Sequence, residues 1–215
     1  RWVANPGLAG APTMDTHPEA GIGYDPETAV AELQSYLDET GQEAGELDIT
    51  LLHNESSGHA LIAETIQAMW ADKLGIEVTI SAQEWNTYLE LTDGPDAPQV
   101  FRLGWCQDYP DANNFTKELF ALCGNSNQCD NGEVYGGLQY YNEDYEALLN
   151  QASAETDNAA RQDLYAQAAD IIYAEDAAVA PIYWYGAQVV TKPYVTRTYA
   201  VGGQQYYIEV LQKEG

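Results

Sequence analysis

Apolar positions recur with two periods along the chain, and the changes of period outline an α/β domain. Asp25-Pro26-Glu27 supplies an N-cap acid, a proline at the first helical position and an acid in the first turn. Ala29, Leu33, Tyr36 and Leu37 follow at helical spacing, and Gly41 ends the run. Leu47, Ile49 and Leu51 alternate as a strand, and residues 54–58 form a polar loop. Leu61, Ile62, Ile66, Met69 and Trp70 mark one helical face, closed by Gly75, and Ile76, Val78 and Ile80 alternate again. Residues 47–80 therefore read as a strand–helix–strand unit, most simply a right-handed parallel crossover.

Further along, residues 84–91 read as a short helix, 99–105 as a strand and 108–114 as a loop of turn residues. Two acidic helices follow, over about 142–155 and 158–175, the second carrying Leu164, Ala168, Ile171 and Ile172 on one side. Residues 179–190 form a strand-like apolar run broken by Gly186, and 205–211 a final strand. Trp70 and Trp184 are expected in the core. The alternation of elements predicts an α/β fold with a central sheet. The first 24 residues, rich in Gly, Pro and Ala, read as an extended lead-in.

Charge narrows the function classes. Eight Lys and Arg stand against 34 Asp and Glu, a formal net charge of −26 over 215 residues. Such a surface repels phosphates and anionic headgroups, which argues against nucleic-acid binding and simple electrostatic docking to membranes. Aromatics at 11% argue against disorder. No run of 18 apolar residues is present to span a bilayer. The opening Arg1-Trp2-Val3, without an initiator Met, reads as a processed start or a fragment.

Catalytic signals are few. His17, His53 and His59 form no HExxH pattern, no Ser sits in a G-x-S-x-G elbow, and no glycine-rich phosphate loop appears. No C-x-x-C pair suggests zinc. Cys123 and Cys129 flank a turn-like stretch, either as a small disulfide loop worth roughly 2 kcal/mol or as two thiols. Asp108 and Asp111 are a conceivable acid pair for an acidic hydrolase. A binding domain without cofactor or metal is the preferred reading over an enzyme. Arg102-Leu103-Gly104-Trp105-Cys106-Gln107-Asp108 is chemically unusual, placing a cation, an indole and a carboxylate near a strand end, where open α/β sheets bind ligands. That set suits a zwitterion.

This stretch, Phe101-Arg102-Leu103-Gly104-Trp105-Cys106-Gln107-Asp108-Tyr109-Pro110-Asp111-Ala112-Asn113-Asn114-Phe115, resembles the solute-binding proteins of peptide ABC importers, the oligopeptide/dipeptide-binding family. The resemblance continues in order from Leu51-Leu52-His53-Asn54 and Gln83-Glu84-Trp85 to Tyr141-Asn142, Ala180-Pro181-Ile182-Tyr183-Trp184-Tyr185 and Lys192-Pro193-Tyr194-Val195. It implies a periplasmic-binding-protein-like, three-layer lobe with a central mixed sheet flanked by helices. Only the second, C-terminal lobe of two is expected. The lead-in would span 1–24, the ligand-binding lobe 25–190, and a tail crossing toward the absent first lobe 191–215. The implied function is capture of short peptides outside the cytoplasm for uptake through ABC permease subunits. The intact protein would be periplasmic or extracellular and lipid-anchored. Oligosaccharide or chelated nickel is the alternative cargo. The resemblance assigns Asp108 to the peptide ammonium, Arg102 and His59 to a peptide carboxylate, and Trp85, Trp105 and Tyr185 to side-chain pockets, with Gly104 and Cys106 in the same loop. It also implies a local disulfide between Cys123 and Cys129, and a Cys106 able to bridge to an earlier cysteine.

Overall fold

A computed structural model describes residues 1–186, 188, 190–199 and 206–210. In chain order its helices and strands are α1 (Pro26–Thr40), β1 (Ile49–Asn54), α2 (Ser57–Leu74), β2 (Val78–Gln83), α3 (Trp85–Asp93), β3 (Val100–Phe101), α4 (Lys117–Phe120), β4 (Cys129–Asp130), β5 (Glu133–Val134), α5 (Glu143–Ala154), α6 (Asn158–Ala169), β6 (Val195–Tyr199) and β7 (Tyr206–Val210). Contacts divide the chain into two compact units. One contains residues 23–104 and 126–140, the other 1–22, 105–125 and 141–215.

The unit of residues 23–104 and 126–140 is built on a parallel sheet of order β2-β1-β3. The Asp25 carboxylate accepts from Thr28 N to start α1, and Gly41 and Gly75 (φ 71° and 68°) close α1 and α2 in left-handed caps that a side chain would strain. The β1–α2–β2 connection is the expected parallel crossover, with Ile49 opposite Val78 and Leu51 opposite Ile80. Its core is Leu51, Ala63, Ile76 and Val78, with Leu33, Ile66, Trp70, Leu74 and Val100 packed around them. The sequence pattern put Leu61 and Met69 on the buried face of α2. They face solvent instead, Leu61 being 65% exposed. Ala63, Ile66, Trp70 and Leu74 follow the i, i+3, i+7, i+11 stripe, and Leu61 and Met69 lie on another.

The strand expected over 99–105 pairs only at Val100 and Phe101, with one further backbone bond from Arg102 N to Leu52 O (2.9 Å). Leu103 and Gly104 are exposed, so no burial rewards a longer ladder. All three described strands of this sheet run parallel where a mixed sheet was expected. The apolar run 179–190 is not a strand in its described residues, and Tyr183, Trp184 and Tyr185 are exposed there. Trp184 is not in the core: it lies on the surface with Nε1 donating to Val3 O (2.8 Å).

The second unit draws its core from distant segments. The expected lead-in is part of it: Trp2, Ala4 and Ala11 are buried. Val3 N donates to the Tyr173 hydroxyl (3.2 Å), Gly10 N to Asn158 Oδ1 (2.9 Å) and Gly21 N to Asp170 Oδ1 (2.6 Å). Ala9 bridges Asp111 in a single parallel step. With them are buried Leu119 and Phe120 of α4, Tyr145 and Leu149 of α5, Tyr165 of α6, and Ile172 and Tyr173 just after it. Asn142 and Asp157 cap those two helices with their side-chain oxygens, and α6 runs on into a π-helical turn, Asp170–Glu175. β6 and β7 form an antiparallel hairpin. Gln205 and Leu211, the expected ends of its second strand, lie outside the described residues.

The core beneath α2 and the outer face of that helix make a direct test. Leu51→Ala, at a buried position, should destabilise its unit by about 2–5 kcal/mol. Leu61→Ala should stay within about 0.5 kcal/mol of the parent. Urea unfolding of both variants checks the assignment; a large loss from Leu61→Ala would restore the face read from the sequence.

Candidate functional site

At the carboxyl edge of the parallel sheet, Asn54 ends β1 and organises three basic side chains. Its backbone oxygen accepts from Nδ1 of buried His53 (2.9 Å) and of His59 (3.4 Å). Its side-chain Oδ1 accepts from Arg102 Nη1 (3.3 Å). Arg102 stands immediately after β3, and His59 lies in the first turn of α2. Burial lowers the His59 pKa below its ordinary value of 6.5, and the charge of Arg102 lowers it further against the Asn54 hydrogen bond.

Trp85 opens α3 directly after β2 and is 49% exposed. Its ring stacks on Tyr88, with centroids 5.8 Å apart and planes 17° from parallel. Tyr88 is buried, and burial pushes its phenol up to about 12 while the Arg102 guanidinium pulls the other way. The structure thus gathers His59, Arg102 and Trp85 at the strand ends, where ligands of open α/β sheets bind. Gly104 is exposed just beyond them.

The remaining site residues belong to the other unit. Asn114, 1% exposed in a 3-10 turn (Ala112–Phe115), accepts with Oδ1 from Trp105 Nε1 (2.9 Å) and from Asp108 N (3.0 Å). One buried amide oxygen therefore shapes the Trp105–Asp108 loop through an indole and a main-chain donor. The Asp108 carboxylate was expected to be buried at a strand end. It is exposed, in a bend beyond β3, and has no hydrogen-bond or ion-pair partner among the described residues. The loop is held through the Trp105 indole and the Asp108 main chain, not through the carboxylate.

Asp111 differs. Its Oδ1 accepts from Asn113 N (2.9 Å) and from Arg161 Nη2 (2.6 Å), capping the 3-10 turn within a partly buried ion pair. An acid pair of Asp108 and Asp111 would need Asp111 free, and it is not. Tyr185 is 57% exposed and meets Tyr183 edge-on at 5.1 Å. Cys106 is a free, exposed thiol, whereas Cys123 and Cys129 are disulfide-bonded. Among the described residues no group of three or more His, Cys, Asp and Glu could hold a metal ion.

Three residues that shape these groups escaped the sequence reading: Asn54, Tyr88 and Asn114. Asn54 was quoted only within a motif, although an asparagine closing a strand before a polar loop is a recurrent loop-fixing signal. Tyr88 lies three residues after Trp85, a spacing that brings aromatic rings together on a helix. Asn114 likewise stood only near the end of a quoted motif, with no role assigned to it.

Two measurements check this geometry. In the native, unreduced protein a thiol reagent should modify Cys106 alone, and reduction should release two more groups. The His59 imidazole should titrate below 6.5 in a proton NMR series, and Arg102→Gln should raise its midpoint. A midpoint unmoved by that substitution would separate the two side chains. Because the folded pKa lies below the unfolded one, this histidine withdraws stability as the pH falls through 6.5.

Comparison with known proteins places the chain. Residues 3–127, more than half of it, match the model of bacterial extracellular solute-binding proteins, family 5 middle region. The chain is 36% identical over 180 residues to the oligopeptide-binding protein OppA of Bacillus subtilis, covering 81% of this chain and 31% of that protein. It is 30% identical over 181 residues to the periplasmic oligopeptide-binding protein OppA of Escherichia coli, covering 84% and 31%. The chain thus spans about a third of the length of these relatives. Among solved structures, the Escherichia coli murein tripeptide binding protein MppA superposes with a TM-score of 0.67 at 29% identity, covering 89% of this chain and 35% of that one. OppA of Haemophilus influenzae in complex with RPPGFSPFR does so at 0.61 and 28%, covering 80% and 31%. The α/β unit with its parallel sheet and the extent of the sequence match agree: the chain belongs to the bacterial extracellular solute-binding proteins of family 5.

Proposed function

We propose that the chain is the second lobe of a two-lobed receptor that captures short peptides outside the cytoplasm and hands them to an ABC permease. Relatives named for oligopeptide and murein-tripeptide binding support this reading. The observation that carries it is the Asp108 carboxylate, exposed and unpartnered among the described residues while nearby Asp111 is held by Arg161. A peptide ammonium meets such a carboxylate as a charge-assisted hydrogen bond. Arg102 and His59 supply positive and donor groups for a peptide carboxylate, and half-exposed Trp85 supplies an apolar wall. Trp105 is held by Asn114 with its indole beside the same loop. The residues of 191–215 serve as the tail toward the other lobe. Closure of two lobes around the cargo is the working motion, with no bond made or broken. A lipid anchor on the intact protein would keep the receptor near its permease.

Calorimetry of the full-length protein with di- to pentapeptides tests the amine anchor. Asp108→Ala should weaken binding about tenfold to a hundredfold, the loss of one hydrogen bond between charged groups. N-acetylation of the peptide should cost the parent protein as much and the variant nothing more. Unchanged affinity in Asp108→Ala would remove the ammonium from this position. The half-exposed ring of Trp85 favours one second reading, stacking on a sugar ring. Displacement of bound cargo by an oligosaccharide, with amine-blocked and free peptides competing equally, would select it.

A further inference from the structure

Tyr88 is a costly residue where it stands. It is 1% exposed, and its hydroxyl has no hydrogen-bond partner among the described residues. A buried hydroxyl without a partner forfeits its hydration, a cost phenylalanine would avoid at the same place. Its ring lies under Trp85, nearly parallel and 5.8 Å away. The Arg102 charge acts on the same phenol. One buried side chain thus packs against the aromatic group of the sheet edge and lies within the field of its cation.

We propose that Tyr88 is the positioning residue of the Trp85 wall and thereby sets a preference for flat, aromatic ligand side chains. Trp85 has one face covered by Tyr88 and about half of its surface open. An indole alone at the start of a helix would sample several rotamers, and a ligand would have to arrest it on binding. The buried ring beneath arrests it beforehand. A flat side chain can then complete a three-ring stack, whereas an alanine side chain gains little from the same surface. Tyr88 acts through Trp85 and touches no ligand itself.

The inference rests on the peptide-binding reading, so its test carries one readout that needs no ligand. In full-length protein labelled with nitrogen-15 at tryptophan, the Trp85 indole signal is identified by its loss in Trp85→Ala. Its heteronuclear NOE should be high in the parent and in Tyr88→Phe, which keeps the ring, and should fall in Tyr88→Leu. Calorimetry then compares peptides that differ by one Phe in place of Ala. Tyr88→Leu should weaken the Phe peptide about three- to tenfold and leave the Ala peptide within about twofold, while Tyr88→Phe keeps the parent preference. In a Trp85→Ala background Tyr88→Leu should add nothing. A rigid indole in Tyr88→Leu, equal weakening of both peptides, or an added loss in the Trp85→Ala background would each overturn the proposal. Absence of any peptide binding by the parent protein would instead count against the peptide-binding reading, and the NOE would still decide the role of Tyr88.

Discussion

A single buried oxygen holds the most exposed chemistry of the chain in place. Asn114 Oδ1 accepts from the Trp105 indole and from the backbone of Asp108, and both donors would otherwise lack a partner of their own. Because the loop is fixed through these neutral bonds, the Asp108 carboxylate is oriented without being neutralised. Had a lysine or arginine performed the same task, the charge would already be compensated. The other unit uses the same device, with Asn54 accepting from a histidine on its backbone and from Arg102 on its side chain. Asparagine amides are suited to this because they accept hydrogen bonds without altering the charge balance.

That economy of cations matters in a chain with only eight Lys and Arg. Arg161 is committed to Asp111 and stacks over Tyr165, and Lys73 pairs with its neighbour Asp72. Few cations remain to neutralise the other acids, so a negative potential extends over much of the surface. Replacing Arg161 would strand a partly buried carboxylate, a larger loss than the removal of an exposed pair. The ion pair at Asp111 is therefore part of the scaffold, whereas the carboxylate of Asp108, three residues earlier, is exposed.

Much of this was legible in the residues. The crossover of β1, α2 and β2 followed from alternating Leu, Ile and Val around a helix bounded by Gly75, and α1 from Asp25-Pro26 and Gly41. These are local signals, and local rules decided them. The misreadings came where tertiary context prevails. Leu61 and Met69 are apolar at helical spacing yet lie off the stripe that meets the sheet. The run at 179–190 has strand-like composition but is exposed in its described residues. The lead-in looked like a linker because Gly, Pro and Ala are loop formers, yet small residues such as Ala4 and Ala11 fit close against the helices of their unit. Of the candidate site residues, Asp108, Arg102, His59 and Trp85 were named at the level of the sequence, through the resemblance. Their supports Asn114 and Tyr88 were not, because a residue that acts by holding another has no signature until the fold brings the two together.

The discontinuity of one unit bears on how the protein is made. The unit built on the parallel sheet takes most of its residues from 23–104, so its contacts become available early as the chain emerges from the ribosome. The other joins Val3 to Tyr173 and Gly10 to Asn158, pairings separated by 170 and 148 positions. Loop closure over such spans is slow, and it waits until α6 has been synthesised. Until then Trp2 and its neighbours travel without their partners. The unit whose core joins such distant segments is therefore the later of the two to complete its packing.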